Sequence, residues 1–172
     1  VNSAGTTFPE SVLETTDDHW DTTINVNLKS VISVVKNMAP PMIENGGGAI
    51  VNVGSLAGEV AIEEHASYCA SKFGLHGLSK VMALELGPHG IRTNCVAPTV
   101  VLTPMGLKVW GDPQKADKMK QKIPLRRFLD PPEVADAVLF LLSDSAATVN
   151  GEIMMLDGGY SIRKRNSPHL PP

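Results

Sequence analysis

Cysteine is scarce in this sequence: Cys69 and Cys95 are the only two among 172 residues. Two thiols so placed give neither a disulfide framework nor metal-ligand spacing, so no metal site is expected. They suit a reducing compartment, where cysteine serves as a small buried residue, and the cytoplasm is the expected location. An excess of charge is also absent. The formal net charge is −3, which gives no sign of nucleic acid or an anionic membrane as the main partner. No apolar run approaches the roughly 20 residues of a membrane span. The opening "VNSAGTTFPESV" has neither a basic start nor an apolar core, so no signal peptide is expected there. Internal repeats and linkers are missing too, and the length fits one domain.

What is present is an alternation of helical and strand patterns. Apolar residues make up 42% and charged residues 19%, ordinary for a globular chain. Val1 to Gly5 reads as the last residue of a strand running into a turn. Thr16 caps a helix whose first turn, "TTDDHW", is acidic, and apolar spacing from Val26 to Val35 carries it to about residue 44. Pro40 and Pro41 are expected to kink or end it. "NGGG" (45–48) stops it. Those glycines precede a strand, not a helix, so they read as a turn and not as a phosphate cradle. "AIVNVGS" (49–55) and "IRTNCVA" (91–97) read as strands. Between them Leu75, Leu78, Met82 and Leu86 mark the buried stripe of a helix over 66–86. Residues 98–113 read as a long irregular loop of the kind that serves as a lid. A helix over 130–143, with Asp130 as cap and prolines in its first turn, is apolar nearly all round and should be well buried. "GEIMMLDGGY" (151–160) reads as a final strand. Residues 163–172, basic and proline-ended, read as a flexible tail.

This order implies an α/β fold with a parallel, doubly wound sheet. Ligands in such sheets bind outside the carboxyl ends of the strands, which places Ala4, Ser55 and Pro98 along one rim. Tyr68 and Lys72, four apart, share a helix face beside it. An ammonium near a phenol favours the phenolate and lowers the tyrosine pKa from about 10, and such a tyrosine can act as a proton donor and acceptor. The Ser55 hydroxyl can hydrogen-bond a carbonyl oxygen. Tyr and Lys at this spacing also occur as plain surface pairs, and only the strand that ends in Ser55 moves the balance.

"YCASK" with Ser55 thirteen residues upstream resembles the active-site signature of the short-chain dehydrogenase/reductase family. "NSAG" (2–5), "NVN" (25–27), "IVNVGSLAG" (50–58), "RTNCVAPTVVLT" (92–103) and "LDGGY" (156–160) resemble other segments of that family in the same order. Ser3 and Thr99 depart from its usual residues. The resemblance implies a Rossmann-like fold and reduction of a carbonyl by hydride transfer from a nicotinamide cofactor. It implies Tyr68 as acid/base, Lys72 lowering its pKa and binding the ribose, Ser55 orienting the carbonyl, and Asn27 holding a water that links Lys72 to solvent. The bland reading of Asn27 is a helix-kink asparagine bonding backbone. Asn2, Ala4 and Gly5 would line the cofactor path near the adenine-side ribose, or form a simple turn. Pro98, Val101 and Thr103 would meet the nicotinamide, or form an ordinary loop. "ELGPHGIR" and "PTVVLTPMG" narrow the resemblance to tetrameric carbonyl reductases of the L-xylulose reductase type. These reduce pentuloses and α-dicarbonyls and point to NADP(H) over NAD(H). They also imply a homotetramer in which the helices over 17–44 and 66–86 build a dimer interface. "EVAIEEHA" (59–66) carries no signature, and its three glutamates read as a solvated loop.

The family's glycine-rich turn after its first strand, which holds the pyrophosphate, has no counterpart here. A chain starting at Val1 reads as the C-terminal part of a Rossmann-like domain (1–162) without the first βαβ units, and an uncovered sheet edge would follow. Two expectations compete: a piece of a carbonyl reductase, or a non-catalytic interaction module that keeps the oligomerisation helices.

Overall fold

The computed structural model describes residues 1–162; the expected tail over 163–172 lies outside them. Three parallel strands form the sheet: β1 (Gly48–Val53), β2 (Ile91–Pro98) and β3 (Ile153–Leu156), in the order β1-β2-β3. Asn2 adds a parallel bridge on the far side of β1. Its N–H donates to the Val51 carbonyl at 2.9 Å, and its carbonyl accepts from Val53 N–H at 2.8 Å. Side chains alternate across the pleat, so neighbouring residues feed two cores. Ile50 joins Leu75, Met82 and Ile91 on one face, and Val51 joins Val96 and Leu141 on the other. A buried parallel sheet with helices on both faces is the expected α/β architecture, of Rossmann-like form.

On the first face lie α1 (Asp17–Ile24), α2 (Ser30–Glu44) and α3 (Ala66–Leu86). Thr16 caps α1, accepting from His19 N–H at 3.2 Å. The single helix expected over 17–44 is interrupted by a π-helical turn at Asn25–Lys29. Pro40 and Pro41 do not end α2, which runs on to Glu44. Both occupy exposed positions in its last turns. The missing N–H groups leave the carbonyls of Lys36 and Asn37 without their usual partners, and both residues are exposed, so water can take that place.

Residues 98–113 depart from the irregular loop expected. They contain α4 (Pro104–Trp110), and α5 (Pro113–Lys120) follows. Each opens on a cap followed by proline: Thr103 Oγ1 accepts from Gly106 N–H at 3.1 Å, and Asp112 Oδ1 from Lys115 N–H at 2.7 Å. Pro104 and Pro113 are first-turn residues, where a missing N–H costs no hydrogen bond. Ala116, Met119, Ile123 and Phe128 form a small core beneath these helices.

The helix α6 (Pro131–Leu142) begins as expected, with Asp130 and Glu133 in a capping box. It is not well buried, however. Leu141 is fully buried, but Leu139 is 63% and Phe140 41% exposed. The helix has the sheet on one side only, so an all-round apolar pattern leaves its far side in solvent. The final strand is also shorter than expected. After Leu156 the Asp157 carboxylate accepts from Gly159 N–H (2.8 Å) and Ser161 N–H (2.7 Å) and closes a turn. Gly158 and Gly159 supply its positive φ angles of 60° and 88°. No described helix is long and apolar enough to cross a membrane.

Candidate active site

A cavity of about 410 Å³ opens at the carboxyl ends of β1 and β2. Beyond β1, Gly54 N–H still donates to the Val96 carbonyl at 2.8 Å. Ser55 follows in extended conformation and caps the short turn Leu56–Gly58. Its Oγ accepts from Ala57 N–H at 3.1 Å, which leaves the hydroxyl hydrogen free to point into the cavity. Tyr68 and Lys72 reach the same cavity from the first two turns of α3.

Lys72 is only 4% exposed. Its Nζ donates to the Val53 carbonyl at 2.9 Å and lies 5.6 Å from the Tyr68 ring centre. Burial lowers its pKa to about 8. Burial also pushes the Tyr68 phenol above its ordinary value, with the neighbouring Ser55 hydroxyl acting the other way. This differs from the lowering expected of a nearby lysine. The lysine stands beside the ring, and desolvation of the phenolate outweighs it.

Asn27 stands in the π-turn and is fully buried. Its Oδ1 accepts from Thr6 N–H at 2.8 Å, and its Nδ2 donates to the Thr6 carbonyl and to Ser71 Oγ, each at 3.0 Å. Ser71 Oγ in turn donates to the Tyr68 carbonyl at 2.7 Å. The asparagine thus ties the chain after Gly5 to the first turn of α3. A Cβ on Gly5 would lie 3.6 Å from Asn27 Oδ1 and 3.9 Å from Lys72 Nζ. Glycine there keeps open the space beside the ammonium.

Of the other expected residues, Gly5, Pro98, Val101 and Thr103 line the cavity. Asn2 and Ala4 do not. The Asn2 amide donates to Asn52 Oδ1 at 2.8 Å, and Asn52 donates to Ser79 Oγ at 2.9 Å. Glu59, Glu63 and Glu64 are exposed, as a solvated loop requires, but Ile62 and His65 of the same segment line the cavity. From α4 come Met105, Val109 and Trp110. The reading of residues 98–113 as a loop hid these, since only a helix turns all three toward one side. A polar stripe on α3 also escaped the apolar pattern: Ser71, Lys72, His76 and Ser79 are all buried. The spacing of four and three from Lys72 through His76 to Ser79 was the available signal.

Residues 1–161 match the protein-family model described as Enoyl-(Acyl carrier protein) reductase. The chain is 46% identical over 163 residues to D-threitol dehydrogenase of Mycolicibacterium smegmatis, covering 95% of this chain and 62% of that protein. It is 47% identical over 161 residues to L-xylulose reductase of Bos taurus, covering 93% and 66%. Among solved structures, gluconate 5-dehydrogenase from Burkholderia cenocepacia in complex with NADP and tartrate superposes with a TM-score of 0.91. It is 29% identical, with 95% of this chain and 64% of that one covered. The chain thus spans about two thirds of the length of the curated relatives it matches.

Proposed function

Because the chain belongs to the short-chain dehydrogenase/reductase family, we propose that it supplies the proton-transfer and substrate half of a nicotinamide-dependent oxidoreductase. The observation that carries this reading is the convergence of Ser55, Tyr68 and Lys72 on one cavity at the strand ends. The cavity volume suits the reactive end of a dinucleotide with a small substrate, and the open space beside Gly5 suits a ribose against Lys72. Two Lys72 donors remain after the bond to Val53 and can hold ribose hydroxyls. Gly5, Pro98, Val101 and Thr103 would wall the cofactor. Asn2 and Ala4 would act through the backbone path that leads to it.

A nicotinamide cofactor held by Lys72 and the residues around Gly5 would supply the hydride that the carbonyl carbon takes up. Tyr68 donates its proton to the carbonyl oxygen, and its raised pKa keeps that proton in place at neutral pH, as an acid in the reductive direction requires. The free Ser55 hydrogen orients the same oxygen. The Asn27 side chain makes three hydrogen bonds, and the acceptor position left on Oδ1 would hold a water linking Lys72 to solvent. The relatives named for xylulose and threitol suggest a ketose or polyol as substrate; an α-dicarbonyl is the other candidate, with NADP(H) preferred to NAD(H). Exposed apolar residues on α2 and α3, among them Val34, Met38, Phe73 and Leu84, are the surface for a homo-oligomer, a tetramer by family resemblance.

The test is the full-length protein with Tyr68→Phe. NADPH and NADH oxidation with L-xylulose or diacetyl is expected to fall about 10²- to 10⁴-fold, with cofactor binding retained. Unchanged carbonyl reduction in this variant would overturn the mechanism.

A further inference from the structure

We propose that His76 is a positioning residue for Ser55, its imidazole forming the support on which the turn carrying Ser55 rests; this builds on the reductase reading above. His76 lies one helical turn beyond Lys72 on α3 and is 6% exposed. A Cβ on Gly54 would come within 2.5 Å of its Nε2, and one on Gly58 within 2.5 Å of its Cε1. The three atoms nearest such a Cβ on Gly58 all belong to this ring. Neither glycine is among those with positive φ, so backbone conformation does not require glycine at either place. Space does. The two glycines flank Ser55 and are the points at which the backbone closes onto the ring.

Nε2 is buried and has no hydrogen-bond partner. Burial lowers the imidazole pKa and outweighs Glu59 and the Gly58 backbone, which act the other way, so the ring is a neutral wedge. Hydrogen bonds hold the backbone of the Gly54–Gly58 turn, Gly54 N–H to the Val96 carbonyl at 2.8 Å and Gly58 N–H to the Ser55 carbonyl at 2.9 Å, and the ring fills the space beneath it. Removing the ring leaves a void beneath two residues that have no side chains to fill it. A displacement of about 1 Å at a group that orients substrate can cost about 10²-fold in rate.

Two measurements in the full-length protein decide the matter. The first is a thermal cycle. Gly58→Ala is expected to lower Tm by about 5 °C or more in the wild-type background, as overpacking does, and by almost nothing beside His76→Ala. Equal losses in both backgrounds would overturn the proposal. The second is a kinetic cycle. His76→Ala is expected to lower kcat about tenfold or more with cofactor binding unchanged, and to cost nothing further in Ser55→Ala. His76→Gln, which refills most of the space, is expected to restore turnover. Losses that multiply across Ser55→Ala and His76→Ala reject a role through Ser55. If Ser55→Ala leaves turnover unchanged, the reductase reading fails instead, and the thermal cycle decides this proposal alone. If His76→Ala does not fold, Gly58→Ala still decides it: wild-type Tm and turnover in that variant would overturn it.

Discussion

Lys72 is where stability and chemistry pull in opposite directions. An unfolded lysine keeps its proton to about pH 10.4, whereas burial brings the folded pKa down to about 8. Between those values the unfolded chain binds more protons than the folded one, so stability rises with pH across this window and is flat on either side. The gain is about 3 kcal/mol at most. Turnover should run the other way, because the ammonium that would hold the ribose is lost as pH passes about 8. Lys72→Met is therefore expected to abolish turnover, lose no thermal stability at pH 7, and flatten the rise in Tm from pH 8 to 10. Parallel Tm profiles for variant and wild type would show that Lys72 does not titrate in that window. Much at this scale was legible in the sequence. The Tyr68–Lys72 spacing and the strand end at Ser55 brought together three residues that line one cavity, because a four-residue period and a strand terminus are local facts. The direction of the Tyr68 shift was not legible. Sequence shows that a lysine is near but not how deeply the phenol is buried, and depth decides the sign.

At the scale of elements, the π-turn between α1 and α2 connects fold to site. π-turns interrupt the regular helical ladder, often at functional positions. Here the turn carries the Asn27 side chain, which binds both backbone groups of Thr6 and also Ser71. No helical periodicity announces it, since apolar spacing runs through both flanking helices. Asn27→Ala removes three hydrogen bonds and leaves the Thr6 N–H and C=O without their partner. The expected loss is about 2–4 kcal/mol in urea unfolding, with turnover falling as the Gly5 segment loosens beside Lys72. Asn27→Asp keeps the acceptor for Thr6 N–H but sets a second carboxylate oxygen against the Thr6 carbonyl in a buried site, so its loss should be at least as large. Wild-type stability in Asn27→Ala would remove the Thr6 clamp from this account. The Thr103-Pro104 and Asp112-Pro113 pairs make the complementary case. Their start signals were in the sequence, and reading residues 98–113 as one irregular loop concealed them.

At the scale of the whole molecule, charge is unevenly distributed. Residues 104–127 hold seven Lys and Arg against two Asp, a formal charge of +5, in a chain whose net charge is −3. The apolar side chains of this segment, Met105, Val109, Trp110 and Met119, line the cavity, and its cations lie outside. Lys115 Nζ stands 4.9 Å from the centre of the Trp110 ring, and Lys120 Nζ 5.3 Å from that of Phe128. The helices over the cavity are thus apolar within and positive without. A positive rim around a low-dielectric cleft raises the encounter rate of an anionic ligand by about 10- to 10³-fold, and a dinucleotide phosphate is such a ligand. Exposed charges of this kind are screened by salt. The association rate of NADPH with the full-length protein, followed by stopped-flow fluorescence, should therefore fall severalfold between about 20 mM and about 0.5 M NaCl. Lys115, Lys118 and Lys122 are all exposed, and changing all three to Glu should slow association at low salt and flatten the salt dependence. The dissociation rate should stay the same, because none of the three lines the cavity. If the triple variant keeps the wild-type salt dependence, the attraction does not come from α4 and α5. If its dissociation quickens instead, these lysines hold the ligand and do not merely guide it in.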